Sequence, residues 1–167
     1  MNPENVLIVI PAYGEAESVA DVVAGAVRAG FPKVLVVDDG SRDGTAGRAR
    51  EAGAMVLSHI VNRGVGAAVR TGLEAARLMG FDAAVTLDGD GQHDPEELAR
   101  VLAPVAEGRA DIAIGARLLT RGRMPPMVRF FNAAANAVTW LLCGRWYRDS
   151  QSGFRAWSSR AMEKVEI

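Results

Sequence analysis

Val6-Leu7-Ile8-Val9-Ile10 is an uninterrupted apolar run ended by Pro11. A run that short, with no polar residue alternating into it, predicts a strand buried on both faces. The theme returns at Val34 to Val37, Met55 to Leu57, Ala83 to Leu87 and Ile112 to Ile114. Between the runs lie helical patterns, each closed by glycine: Ala16 to Ala29 before Gly30, Gly44 to Ala52 before Gly53, Val65 to Met79 before Gly80, and Pro95 to Glu107 before Gly108. Glycine just past the last helical residue is the expected C-terminal stop. Strands alternating with helices predict an α/β chain, a Rossmann-like, mostly parallel sheet with helices on both faces. A length of 167 residues suits one domain over 1–167.

Ligands of such sheets bind outside the carboxyl ends of the strands. Chemistry is therefore expected on the loops after Ile10, Val37, Leu87 and Ile114. A net charge of −1 gives little electrostatic drive toward nucleic acid. The single cysteine, Cys143, rules out an internal disulfide and reads as core packing, and the start Met1-Asn2-Pro3-Glu4-Asn5 lacks a signal-peptide pattern, so the cytoplasm is the expected compartment. The most apolar stretch, Arg129 to Trp146, is broken by Asn132, Asn136 and Thr139 and reads as an amphipathic helix, not a membrane span. Ahead of it, Arg117, Arg121, Arg123, Pro125, Pro126 and Arg129 read as a basic, proline-broken loop.

The first loop, Pro11-Ala12-Tyr13-Gly14-Glu15, puts an aromatic face and a carboxylate at a strand end. Tyr13 can stack on a base and Glu15 can accept hydrogen bonds from ribose hydroxyls; a plain turn, with Glu15 favouring the next helix through its dipole, accounts for the same residues. In the second loop, Asp38 to Thr45, Asp43 or Ser41 can cap the following helix. Capping leaves the adjacent Asp38 and Asp39 unexplained, because one of them must point toward the sheet and needs a partner there. The amide edge of a bound base facing Asp39 would be such a partner.

The third loop is Leu87-Asp88-Gly89-Asp90-Gly91-Gln92-His93-Asp94-Pro95. Carboxylates two apart around a glycine can turn their oxygens toward one hard divalent cation, Mg²⁺ or Mn²⁺, able to bridge the two phosphates of a sugar nucleotide. An EF-hand loop from Asp88 would need glycine sixth and glutamate twelfth, where His93 and Ala99 stand. A zinc site would need more than His93 and a distant cysteine. Asp94-Pro95 suits a helix start but leaves Asp88 and Asp90 over. Gly64-Val65-Gly66 does not follow the first strand and lacks the third glycine of a dinucleotide fingerprint. Asn62-Arg63-Gly64 can present amides or Arg63 to an anion, or merely cap the next helix. His59 shows no carboxylate or serine partner in the sequence, so a serine–histidine triad has no support.

Taken together, Ile10 to Glu15, Val37 to Thr45, Asn62 to Gly66, Leu87 to Pro95, Gly115 to Arg117 and Asp149 to Arg155 resemble glycosyltransferase family 2, in particular its dolichyl-phosphate (polyprenyl-phosphate) mannosyl- and glucosyltransferases. Each segment alone is weak; together, in order over almost the whole chain, they are specific. The resemblance implies a GT-A fold and an inverting transfer of mannose or glucose from a GDP- or UDP-sugar to a polyprenyl phosphate, with a divalent cation. It places Pro11, Tyr13, Glu15, Val37 and Asp39 around the nucleoside, and Asp88, Gly89, Asp90 and Gln92 at the diphosphate, with Asp88, Asp90 and Gln92 on the metal and Arg117 on a phosphate. Asp90, Asp149 and Arg117 are the catalytic candidates; Arg129, Ser152 and Arg155 are the candidates for the acceptor phosphate.

Gly14 stands where the family commonly has asparagine, and Gly89 where alanine often separates the aspartates, which loosens both loops. Relatives usually continue past the Gly-Phe-Arg segment, so a chain shortened at its C-terminus is expected. A lipid acceptor would place the Arg129 to Trp146 helix on the inner face of the membrane. The competing reading is a nucleotide-sugar-binding domain that serves a soluble acceptor or lacks turnover. A nucleotidyltransferase would carry a glycine-rich loop with lysine after the first strand, unlike Pro11 to Glu15.

Overall fold

The computed structural model describes residues 1–89, 97–115 and 153–164. Strands β1 (Val6–Ala12), β2 (Val34–Asp38), β3 (Met55–Ser58), β4 (Ala83–Thr86), β5 (Ile112–Ile114) and β6 (Arg155–Ser158) form a single sheet in the order β3-β2-β1-β4-β6-β5. β1 pairs in parallel with β2 and β4, and β2 with β3; β6 is antiparallel to both β4 and β5. The mostly parallel α/β architecture read from the sequence is the one observed.

Alternate residues of β1 serve opposite faces. Val6, Ile8 and Ile10 pack with α1 (Val19–Arg28), α2 (Thr45–Glu51) and α4 (Leu98–Ala106), whereas Leu7 and Val9 pack with α3 (Val65–Leu78) and α5 (Ser159–Lys164). Each large aliphatic side chain withdrawn from water here contributes about 1.5–3 kcal/mol, so the continuous apolar run is what a strand covered on both sides requires. Gly30, Gly53, Gly80 and Gly108 follow α1, α2, α3 and α4 with positive φ, as the helix stops anticipated.

Four expectations change. β1 does not end at Ile10: Pro11 pairs with Val37 and Ala12 with Asp38. Ala12 O accepts from Asp39 N on the β2 side, and Val9 O accepts from Leu87 N on the β4 side, so position 11 faces β4, whose register with β1 stops at Val9–Thr86. The amide hydrogen that proline lacks is not needed there. Second, β3 and β5 are not buried on both faces; Met55, Leu57, Ile112 and Ile114 are 36–42% exposed because these strands form the sheet edges. Third, β6, which sequence periodicity did not signal, runs antiparallel between β4 and β5. α1 also begins at Val19 instead of Ala16, and the expected helix start at Pro95 lies outside the described residues.

Gly72 of α3 faces β1 so closely that a Cβ there would overlap the Val9 side chain. Gly72→Ala is expected to destabilise the protein by about 1–3 kcal/mol through overpacking, read as a lower midpoint in urea; an unchanged midpoint would show that α3 does not lie this close to β1.

Candidate active site

Because β1, β2, β3 and β4 run in parallel, the loops that follow them emerge at one end of the sheet, and these loops are cross-linked by short polar side chains. Asp43 Oδ1 accepts from the Thr45 hydroxyl at 2.6 Å and from the Thr45 amide at 3.1 Å, and its Oδ2 accepts from the Ala16 amide at 3.2 Å. Thr45 Oγ1 in turn accepts from the Glu15 amide at 2.9 Å, and Ser41 Oγ accepts from the Gly14 amide at 3.0 Å. The hydrogen bond from the Thr45 hydroxyl, with those from the Thr45 and Ala16 amides, holds the Asp43 carboxyl below its usual range. Thus the helix-capping expectation for Asp43 holds, and the same carboxylate also fixes the first loop. Ser18 Oγ lies 2.7 Å from Glu15 Oε2 and 2.8 Å from Gly89 O, with one proton to donate between them. That hydroxyl ties the loop after β1 to the loop after β4.

Asp38 and Asp39 are both buried. Asp38 Oδ1 accepts from the Ser41 amide at 3.1 Å. Asp39, only 3% exposed, has partners inside the protein: its carboxylate accepts from the Arg63 amide at 3.0 and 3.1 Å, from the Gly64 amide at 2.7 Å, and from His59 Nδ1 at 2.6 Å. The carboxylate can only accept, so Nδ1 donates; His59 Nε2 lies 2.9 Å from Thr71 Oγ1. The base edge is therefore not needed to offset the burial of Asp39, and His59 does have a carboxylate partner, one that lies 20 residues away and is invisible to local pattern. Burial pushes the Asp39 carboxyl up, but the hydrogen bonds from the Arg63 amide, His59 and the Gly64 amide outweigh it and hold it below the usual range. The held loop passes over Gly40 (φ 79°), where a Cβ would stand 2.8 Å from both Asn62 N and the Val61 carbonyl carbon.

The cross-linked loops surround a cleft of about 220 Å³ lined by Pro11, Ala12, Tyr13, Glu15, Val65, Asp88 and Gly89. Five residues named from the sequence, Pro11, Tyr13, Glu15, Asp88 and Gly89, meet there. Tyr13 is 58% exposed at its edge, with the ring accessible for stacking. Val37 and Asp39 do not line it: the Val37 side chain belongs to the core beside α3, and the Asp39 carboxylate holds the amides of residues 63 and 64. Arg155 lies in β6, paired with Thr86 and Ile114. Asp90, Gln92, Arg117, Arg129, Asp149 and Ser152 lie outside the described residues. Sequence reasoning missed Val65 in the cleft wall and the tethering roles of Ser18 and Thr45. Ser18 carried no signal beyond its nearness to Glu15.

Among the described residues no group of three or more His, Cys, Asp or Glu side chains gathers as a metal site. Asp88 is the one described member of the proposed ligand trio, and with Glu15 it gives the cleft hard oxygen donors that suit Mg²⁺ or Mn²⁺. A second groove, about 240 Å³, runs between α4 and β5 along Val101, Pro104, Ala113, Ile114 and Phe154 and is largely apolar. No helix among the described residues is long and apolar enough to cross a membrane.

The aromatic ring, the carboxylates and the cleft thus stand at the carboxyl ends of a mostly parallel α/β sheet, where the ligands of such sheets bind. Residues 7–150 match the family Glycosyl transferase family 2, and the chain belongs to it. It is 32% identical to UDP-N-acetylglucosamine--dolichyl-phosphate N-acetylglucosaminyltransferase of Methanococcus voltae, over 95% of this chain and 71% of that one. It is 36% identical to polyprenol monophosphomannose synthase of Mycolicibacterium smegmatis, over 98% of this chain and 65% of that one. Among solved structures, glucosyl-3-phosphoglycerate synthase of Mycobacterium tuberculosis in complex with UDP superposes with a TM-score of 0.73 at 24% identity, over 93% of this chain and 57% of that one. The fold is thus that of the GT-A glycosyltransferases, and the chain spans just over half the length of this solved relative.

Asp39→Asn is expected to lower the unfolding free energy near pH 7 by about 1.5–3 kcal/mol, since it weakens hydrogen bonds made to a charged acceptor. The folded-state pKa of Asp39 is lowered, so its contribution is fully present above the unfolded value of about 3.9 and is lost as pH falls through the folded value below it. Urea unfolding of both proteins should show the gap narrowing below about pH 4; a gap that persists unchanged into that range would mean that the Asp39 charge is not what holds the loop.

Proposed function

We propose that the protein is a glycosyltransferase that moves a hexose from a GDP- or UDP-sugar to a polyprenyl phosphate with inversion at the anomeric carbon, working at the membrane surface. The observation that carries this reading is the cleft in which Tyr13, Glu15, Asp88 and Gly89 meet, in a family 2 chain similar over nearly its full length to enzymes named for polyprenyl and dolichyl phosphates. Tyr13 and Pro11 offer apolar faces to the nucleoside, and Glu15 accepts hydrogen bonds from ribose hydroxyls. Asp88, Asp90 and Gln92 take the diphosphate end. These three would hold a divalent cation, Mn²⁺ or Mg²⁺, which would supply positive charge for the departing diphosphate.

The acceptor oxygen attacks the anomeric carbon from the face opposite the nucleotide. A phosphate acceptor is already anionic near neutral pH, so it needs little help from a general base; Asp149 orients it, and Arg117, Arg129, Ser152 and Arg155 bind phosphate oxygens. The reading of the Arg129 to Trp146 stretch as an amphipathic helix supports a place at the membrane surface.

The test is to incubate the protein with GDP-mannose, UDP-glucose or UDP-N-acetylglucosamine, a short polyprenyl phosphate and Mn²⁺ or Mg²⁺, and to follow the lipid product by mass spectrometry. One donor should yield a glycosyl-phosphate lipid, chelation should abolish it, and Asp90→Ala should slow it by roughly 100-fold or more. Release of nucleotide without lipid product would overturn the acceptor assignment; no release from any donor would overturn the transferase itself.

A further inference from the structure

Gly153 lies directly against the side chain of Asp88. A Cβ built at 153 would overlap Asp88 Oδ1 and stand 2.7 Å from Oδ2 and 2.8 Å from Cγ, closer than carbon atoms in proteins approach. The main chain at this point is also held by a hydrogen bond. Thr86, buried at the end of β4 two residues before Asp88, donates its hydroxyl proton to Gly153 O at 2.6 Å, and Thr86 Oγ1 also lies 3.3 Å from Arg155 O. The next residue is wedged as well: Gly115 donates its amide to Phe154 O at 2.8 Å, and a Cβ at 115 would stand 2.5 Å from Phe154 Cδ1 and 3.2 Å from Cε1 and Cγ of the same ring.

We propose that Gly153 and Thr86 are positioning residues for Asp88. Thr86 fixes the main chain of residue 153, and the missing side chain lets that main chain form a wall against the carboxylate, restricting the directions in which Asp88 can turn within the cleft. A ligand carboxylate is effective only when its orientation is fixed before the ligand arrives. The proposal rests on the reading of Asp88 as a contact for the diphosphate and its cation. It also links the two halves of the site, since the segment assigned from the sequence to the acceptor touches the aspartate assigned to the donor. Substitution at 153 should consequently appear in cation and donor binding.

The test is a double-mutant cycle on the full chain, with Mn²⁺ affinity measured by calorimetry in saturating UDP or GDP, whichever the unaltered protein binds. Gly153→Ala is expected to weaken Mn²⁺ binding by about tenfold or more and to add no further loss in an Asp88→Ala background. Unchanged affinity in Gly153→Ala, or an equal loss with and without Asp88, overturns the positioning role while leaving the donor site intact. Unchanged affinity in Asp88→Ala overturns the reading of the site and the positioning role together. If Gly153→Ala does not fold, the same cycle is run on Thr86→Val: loss of affinity with recovery in Thr86→Ser supports the proposal, and full affinity in Thr86→Val overturns it.

Discussion

β1 is hydrogen-bonded in parallel on both edges, to β2 and to β4, and its side chains are buried on both faces of the sheet. From Val6 to Ile10 a strand so enclosed has no position for a charge or a ligand, and its neighbours β2 and β4 are enclosed with it. Polar chemistry is displaced to the strand ends. Parallel pairing then puts the carboxyl ends of all three on one side, so that loops separated by dozens of residues share one cleft. Pro11 shows how closely the ladder is used: the strand continues through a residue without an amide hydrogen because β4 no longer pairs with it there.

The carboxylates at those ends divide into two kinds by whether they line the cleft. Asp43 and Asp39 are engaged by the protein itself, with amides and a hydroxyl or imidazole as donors, and their carboxyl groups are held below the usual range as a result. They act as fixed anchors, one for the loop after β1 and one for the loop after β3. Asp88 and Glu15 line the cleft, with Glu15 Oε2 2.7 Å from the Ser18 hydroxyl. A ligand there meets loops whose geometry is set beforehand by anchors it does not touch, which reduces the ordering cost of binding.

What the sequence made legible follows from the range over which its signals act. Apolar runs and terminal glycines are local, and they located five of the six described strands and the ends of four helices. The edge strands were misjudged in burial because three or four apolar residues read alike at the edge of a sheet and at its centre. β6 was missed because Arg155-Ala156-Trp157-Ser158 is short and its apolar residues are adjacent, with no alternation. Five residues of the site were readable because they sit on strand ends next to strong runs. The pairing of His59 with Asp39, and the approach of Gly153 to Asp88, join residues 20 and 65 positions apart. No local pattern encodes them; they exist only once the sheet has set the loops side by side.

The central claim is that a nucleoside diphosphate occupies the cleft between Tyr13 and Asp88. A crystal structure of the protein with Mn²⁺ and UDP or GDP tests it most directly. The account predicts the nucleoside against Pro11 and Tyr13, ribose hydroxyls within hydrogen-bond reach of Glu15, and the diphosphate with its cation beside Asp88. A nucleotide bound in the apolar groove between α4 and β5, or a diphosphate remote from Asp88, would contradict it.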